Sequence, residues 1–432
     1  MNSAGSSEGT PAIPPRGGLD LVPFKGVRYV PARVGSLSAV MSPPYDVVVR
    51  PDGQDHLESA DPHNVVRLIL PRAPSPSTGP KQAAATLDGW LAQGVLAVDP
   101  EPGLYVYEQR GDGLVQRGVI GALRLTPPRE GVVLPHEDVM PGVVAERAEL
   151  MRATAANPEP LLLTYRGDGS VTGTAAVVER AAATEPLLST VTEDGFLHRL
   201  WAVTDPARIA EVRADLARHQ ALIADGHHRW ATYLNLRAEQ LAPGPWDFGL
   251  VLLVDTARHP LRVRAIHRVL HRLPVRDALA AAAGLFRVRR VAGPLEDALA
   301  ELAGAAAEGN AFLLAGDGSF HLLDRPEPAL LARTVPADRP ERWRSLDATV
   351  LHETLLDGVW RVRDAPEDVA YIHDAPAAVA KAERENGTAV LLHPVHEDAV
   401  RELARRGVMM PRKSTSFGPK PATGLVLRSL RV

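Results

Sequence analysis

The chain has 432 residues, 45% hydrophobic and 23% charged, with a formal net charge of −4. Such values describe an ordinary globular protein of two or three domains and give no global electrostatic reason to bind nucleic acid or acidic lipid. It has no cysteine, which excludes disulfides, thiolate catalysis and cysteine-ligated metal sites. The opening MNSAGSSEGTPAIPPRGG is small, polar and rich in proline and glycine. It lacks the basic start and apolar centre of a signal peptide and reads as a disordered tail over 1–20. No run is long and apolar enough to span a bilayer, so the cytoplasm is the expected location and no membrane partner is expected.

Residues 21–34 alternate apolar and polar positions between two prolines, as edge strands and turns do. At 41–49, MSPPYDVVV, paired prolines force extended backbone and present Tyr45 and Asp46 at fixed angles, either as a pocket wall or as a rigid turn. Residues 61–70 read as a turn and then an apolar strand from Val65, interrupted by Arg67. An arginine in such a strand needs a partner or a wet face, so Arg67 is a candidate to meet an anion; an edge-strand charge is the alternative. A helix is expected over 81–93, closed by Gly94. Residues 104–109 and 114–125 form a hairpin, with Tyr105, Tyr107 and Gln109 on one face and Glu108 on the other.

LPHED at 134–138 is a chemical cluster ahead of a helix. His136 and Glu137 serve one metal site only if a loop presents both, and Glu137 is a candidate general base; acids at a helix start are the plainer reading. A strand at 160–165, another at 197–203 and a helix at 206–219 lead to ALIADGHHRW, residues 221–230. This reads as an apolar strand, a tight polar turn over 225–229, and a helix from about Trp230. Helix amino-termini attract anions, Gly226 allows close approach, and Arg229 offers a planar fork for phosphate or carboxylate. A phosphate or nucleotide cradle is the functional reading; a surface turn with solvated charges is the alternative.

Further strands are expected at 248–255, 369–374 and 389–392, and an inserted α/β subdomain over 274–345. The stretch 409–424, MMPRKSTSFGPKPATG, carries Lys413 and Lys420 among hydroxyls and breakers. It suits either a segment folded over an anionic ligand or a linker to a last strand. Walker-type, GxGxxG, GxSxG and HExxH patterns are absent.

Taken together, MSPPYDVV, DPHNVVRL, YVYEQ, LPHED, IADGHHR and MPRKSTSFGPKPATGLV resemble the domain-of-unknown-function family 1015, from about residue 20 onward. Members are often labelled ParB-like, and DGHHR is similar to the phosphate-binding turn of the ParB/sulfiredoxin superfamily. That superfamily includes nucleotide-hydrolysing partition proteins, sulfiredoxin, and free serine kinases using ADP or ATP. The resemblance implies that Gly226, His227, His228 and Arg229 lie at nucleotide phosphates. Ser416 and Gly418 depart from it, standing where aromatic residues are usual.

The fold expected is α/β (α+β): a ParB/sulfiredoxin-like mixed-sheet core over 21–273, the subdomain over 274–345, and residues 346–432 completing the site. Sulfiredoxin chemistry needs a cysteine this chain lacks, and neither a helix-turn-helix nor a basic face for DNA is evident. What remains is a nucleotide-dependent phosphotransferase, serine-kinase-like, using ATP or ADP and Mg²⁺ on a small hydroxylated metabolite. Arg67, Lys413 and Lys420 would add positive field, and Asp225, Glu137 or Asp46 would take the hydroxyl proton or hold Mg²⁺. The alternatives are a ParB-like regulatory protein that binds and hydrolyses nucleotide, and a metal-dependent hydrolase using His136, Glu137, His227 and His228.

Overall fold

A computed structural model describes residues 17–48, 51–73, 75 and 77–431. Most of the tail expected over 1–20, and Val49 of MSPPYDVVV, lie outside the described residues. The described residues divide into two units: one of 17–135, 139–261 and 419–431, the other of 136–138 and 262–418. Both combine helices with sheets, as the α+β expectation required; the first mixes antiparallel with parallel strand pairs, and the strands of the second pair antiparallel.

In the first unit, alternation over 104–125 does build a hairpin, Leu104–Gly111 against Leu114–Arg124. Its turn is Asp112-Gly113, with φ of +52° and +70°, the left-handed pair that matches strand twist. The hairpin belongs to a nine-stranded mixed sheet, in which Leu161–Tyr165 lies parallel to Phe248–Asp255 and antiparallel to Ala221–Asp225. Strands buried on both faces read as continuous apolar runs, and Leu161, Leu163, Ile223, Val251 and Leu253 all join one core with Trp230, Tyr233 and Leu236 of the helix His227–Ala238. Glu108, fully buried, faces away from Tyr107 as expected and is held by Arg117 and Arg199. A smaller four-stranded sheet joins Gly26–Tyr29 to Leu427–Ser429.

Two local expectations change. Residues 65–70 are not a strand: Val66–Ile69 is a short helix, because Asn64 Oδ1 accepts the Val66 amide at 2.9 Å while its Nδ2 is fixed on Ala39 and Met41. The helix expected from Trp230 begins at His227, with Gly226 alone forming the bend at φ +99°. His227, His228 and Arg229 therefore lie in its first turn.

The second unit is wider than the subdomain expected over 274–345. Its six-stranded sheet runs Arg287–Val291, Ser319–Asp324, Ala311–Gly316, Thr388–Leu391, His267–Leu270, Val369–Ile372. Strands from both sides of that stretch are needed to bury Phe312, Leu314 and Leu323. Consequently residues 346–418 belong here, and only 419 onward return to the first unit. Among the described residues no helix is long and apolar enough to cross a membrane.

Candidate functional site

The residues expected to carry chemistry fall into three groups. In the first unit, Asp225 ends a fully apolar strand and Gly226 turns the chain into the helix. A Cβ at Gly226 would stand 2.8 Å from Leu161 Cγ, so glycine is required by space as well as by its positive φ. One turn into the helix, Arg229 folds back: Nη2 donates to Asp225 Oδ2 at 2.9 Å and Nη1 to the Pro160 carbonyl at 3.3 Å, with Glu159 Oε2 at 3.8 Å. Arg229 is 1% exposed. Its guanidinium is turned inward onto these partners.

The cation beside Asp225, together with Arg229, is Lys420. Its Nζ lies 2.5 Å from Asp225 Oδ1 and 2.5 Å from Asp46 Oδ2. The segment bearing it is tied to the hairpin face read in the sequence. Pro419 O accepts from Gln109 Nε2 and Gln116 Nε2, both at 3.0 Å, and the Ala422 amide donates to Tyr107 Oη at 3.3 Å. Ser42 and Thr423 exchange backbone bonds at 2.9 and 3.2 Å, which brings the 42–46 turn alongside. Asp46 is exposed there; Tyr45 lies over two guanidinium groups, with Arg147 4.6 Å and Arg229 5.7 Å from its ring centre.

Charge pairing governs protonation. Burial alone would raise the Asp225 carboxyl, but Lys420 and Arg229 outweigh it and hold it below the usual range. Burial opposes the Lys420 charge, and Asp225 and Asp46 overcome it, so its ammonium loses its proton only well above the ordinary value. Burial pushes Tyr45 up to about 12 and holds His227 down at about 3, neutral at pH 7. His228 keeps partial exposure, its Nε2 accepting the Met140 amide at 3.1 Å.

Sequence reasoning missed Glu159 and gave Arg147 and Thr423 no individual role. Glu159 is buried, raised by burial, and accepts from the Tyr45 amide at 2.9 Å and Thr423 Oγ1 at 3.3 Å. An acid between two prolines before an all-apolar strand, NPEPLLL, was the available signal.

The other candidates lie elsewhere. Arg67 donates to the Glu58 carbonyl at 2.9 Å and lies 3.8 Å from that residue's carboxylate, a link between neighbouring short helices that leaves it no role in this cluster. In the second unit, His136 Nε2 is 3.0 Å from Thr415 Oγ1 and its ring meets Phe417 edge-on. Glu137 Oε1 accepts the Lys413 amide at 3.1 Å. His136 and Glu137 thus hold the 410–417 loop, and among the described residues no three histidine or carboxylate side chains are grouped to take a metal ion.

Residues 21–349 match the model of the family described as "Protein of unknown function (DUF1015)". The chain belongs to that family. Its MPRKSTSFGPKPATGLV segment lies beyond the matched span. Among curated proteins none matches. Solved structures similar to this chain include a free serine kinase in complex with AMP, 16% identical, covering 66% of this chain and 84% of that one, TM-score 0.34. They also include a conserved hypothetical protein from Pyrococcus furiosus, 17% identical, covering 66% and 87%, TM-score 0.33. A third is SbnI with C-terminal truncation from Staphylococcus aureus, 9% identical, covering 69% and 82%, TM-score 0.34. Likeness at this level says nothing about what the present family member binds.

Proposed function

We propose that this family member binds ADP or ATP with Mg²⁺ in its first unit and transfers a phosphoryl group to the hydroxyl of a small metabolite, as a serine kinase does. One observation carries the reading: a lysine ammonium and two carboxylates converge where the His227–Ala238 helix opens at Gly226. Phosphoryl transfer demands positioning and charge neutralisation above all. The helix amino-terminus and Lys420 supply positive field for phosphate oxygens. Asp46 and Asp225 suit Mg²⁺, which takes one or two carboxylates and fills its shell with water and phosphate; bound there, it would neutralise phosphate charge. Asp46, the exposed member, is the candidate to accept the hydroxyl proton.

Arg229 has a positioning part in this reading, setting the Asp225 carboxylate. The kinship of DGHHR to the ParB/sulfiredoxin phosphate turn, and a cytoplasmic setting, belong to the same proposal. Calorimetry with ADP and ATP in the presence of Mg²⁺ tests it, followed by transfer assays on a panel of hydroxylated metabolites. Absence of any nucleotide binding overturns it, and hydrolysis without transfer to any acceptor replaces it with the regulatory reading.

A further inference from the structure

A row of polar side chains crosses one face of the nine-stranded sheet. Gln116, Gln109 and His198 are cross-strand partners on three successive strands, the third being Leu197–Val203. Tyr107 stands two residues from Gln109 on the same face. All four are buried. Polar groups are costly in such a position unless hydrogen-bonded, and here they hold the strap that carries Lys420. Gln109 and Gln116 donate to the Pro419 carbonyl, one residue before the lysine. Tyr107 Oη accepts the Ala422 amide, two residues after it.

The direction of these bonds can be followed outward from Tyr107. Its Oη lies 2.9 Å from His198 Nδ1, and His198 Nε2 lies 2.9 Å from Thr192 Oγ1. Thr192 has one hydroxyl proton, which the Asp194 carboxylate at 2.5 Å and the Phe196 carbonyl at 3.2 Å can only accept. The Thr192 oxygen therefore accepts from His198, which puts a proton on Nε2. Burial holds His198 down at about 4, neutral at pH 7, so Nδ1 is left as an acceptor. Tyr107 donates to it; Gln109 Oε1, the other acceptor in reach, is farther at 3.2 Å. The hydroxyl hydrogen thus points away from the strap, and the oxygen lone pairs face the Ala422 amide.

We propose that Tyr107 and His198 are positioning residues for Lys420, acting through a directed chain of hydrogen bonds from the Ala422 amide to the Tyr107 hydroxyl to His198 Nδ1. A hydroxyl hydrogen turned the other way would meet the Ala422 N–H hydrogen and push the strap off. The chain sets where the Lys420 ammonium stands, 2.5 Å from both Asp46 and Asp225. That Lys420 meets phosphate rests on the proposed function; its positioning by this chain does not.

NMR of the full chain tests this, with histidine labelled in its ring nitrogens and lysine labelled at Cε. Wild type is expected to show His198 protonated on Nε2, and protonation on Nδ1 overturns the proposal. Tyr107→Phe and His198→Leu are each expected to move the Lys420 signal toward that of the exposed Lys81. His198→Asn, whose Oδ1 replaces the Nδ1 acceptor, is expected to keep the wild-type signal. An unmoved signal in the first two variants, or a moved one in His198→Asn, overturns the proposal. If His198→Leu does not fold, Tyr107→Phe, which loses one oxygen atom, and the wild-type tautomer decide. Where wild type binds ADP, Tyr107→Phe is expected to bind it roughly two- to tenfold more weakly, the scale of one neutral hydrogen bond, and equal affinity counts against the positioning role. A moved Lys420 signal in a protein that binds no nucleotide refutes the proposed function and leaves the positioning intact.

Discussion

Arg229 Nη2 and Asp225 Oδ2 lie 2.9 Å apart across the bend at Gly226, both residues buried. The pair ties the end of a strand to the first turn of the following helix. Its energetic character follows from burial: without Arg229, Asp225 keeps only Lys420 and the buried Glu159 loses its neighbouring guanidinium. Arg229→Ala is therefore expected to destabilise the first unit by about 3–5 kcal/mol. Urea unfolding measures it, and an unchanged midpoint would contradict the buried geometry.

Gly226 tests the bend itself. Any other L-residue there meets the left-handed penalty of about 1–2 kcal/mol, and alanine also meets Leu161. Gly226→Ala is expected to lose about 2 kcal/mol or more, since Leu161 is packed in the core and has little room to yield. Thermal melting beside a surface Gly→Ala control at Gly142, where nothing crowds the added carbon, separates strain from a general effect.

For the ligand, Lys420→Ala in the presence of Mg²⁺ is expected to weaken nucleotide binding roughly ten- to a hundredfold, one charge-assisted bond of about 1.5–3 kcal/mol. Calorimetry reads this directly. Lys413→Ala, in the second unit's loop, serves as the comparison, and an equal loss in both variants would remove Lys420 from its assigned place.

Stability should also fall on the acid side. Burial holds His227 at about 3 and His198 at about 4, against an ordinary 6.5. Both folded-state values are depressed, so below pH 6.5 the unfolded chain takes up protons that the folded chain refuses. The stabilisation is complete above 6.5 and is lost as pH falls from there toward 4 and 3, with a limiting slope of about 1.4 kcal/mol per pH unit for each proton. His227→Gln is expected to flatten the pH dependence of unfolding between 4 and 6; an unaltered slope would show that His227 titrates normally.

Periodicity made much of the architecture readable. The hairpin at 104–125, the strand at 221–225 and the faces of Tyr107 and Glu108 follow from alternation and apolar runs that sheets impose. Four residues of helix at 66–69 carry too little period to be told from a strand, and the deciding contact is that of Asn64 Oδ1 with the Val66 amide. At the site, Asp46, Asp225 and Lys420 were readable as residue types. Their union depends on how the 419–423 strap crosses the hairpin, a long-range pairing with no local signature. The inward turn of Arg229 was hidden for another reason: its partner Glu159 lies in the bend before the strand Leu161–Tyr165, far away in sequence, and side-chain direction is set by such partners.

The strap has a consequence for how the protein is made. Asp46, Asp225 and Arg229 leave the ribosome well before Lys420, so over much of the second half of translation the two aspartates are one cation short. Like charges forced together resist closure, so the first unit is expected to stay open at this corner until its last lysine has emerged. The final docking event in folding and the pairing of Lys420 with its two aspartates are then a single act.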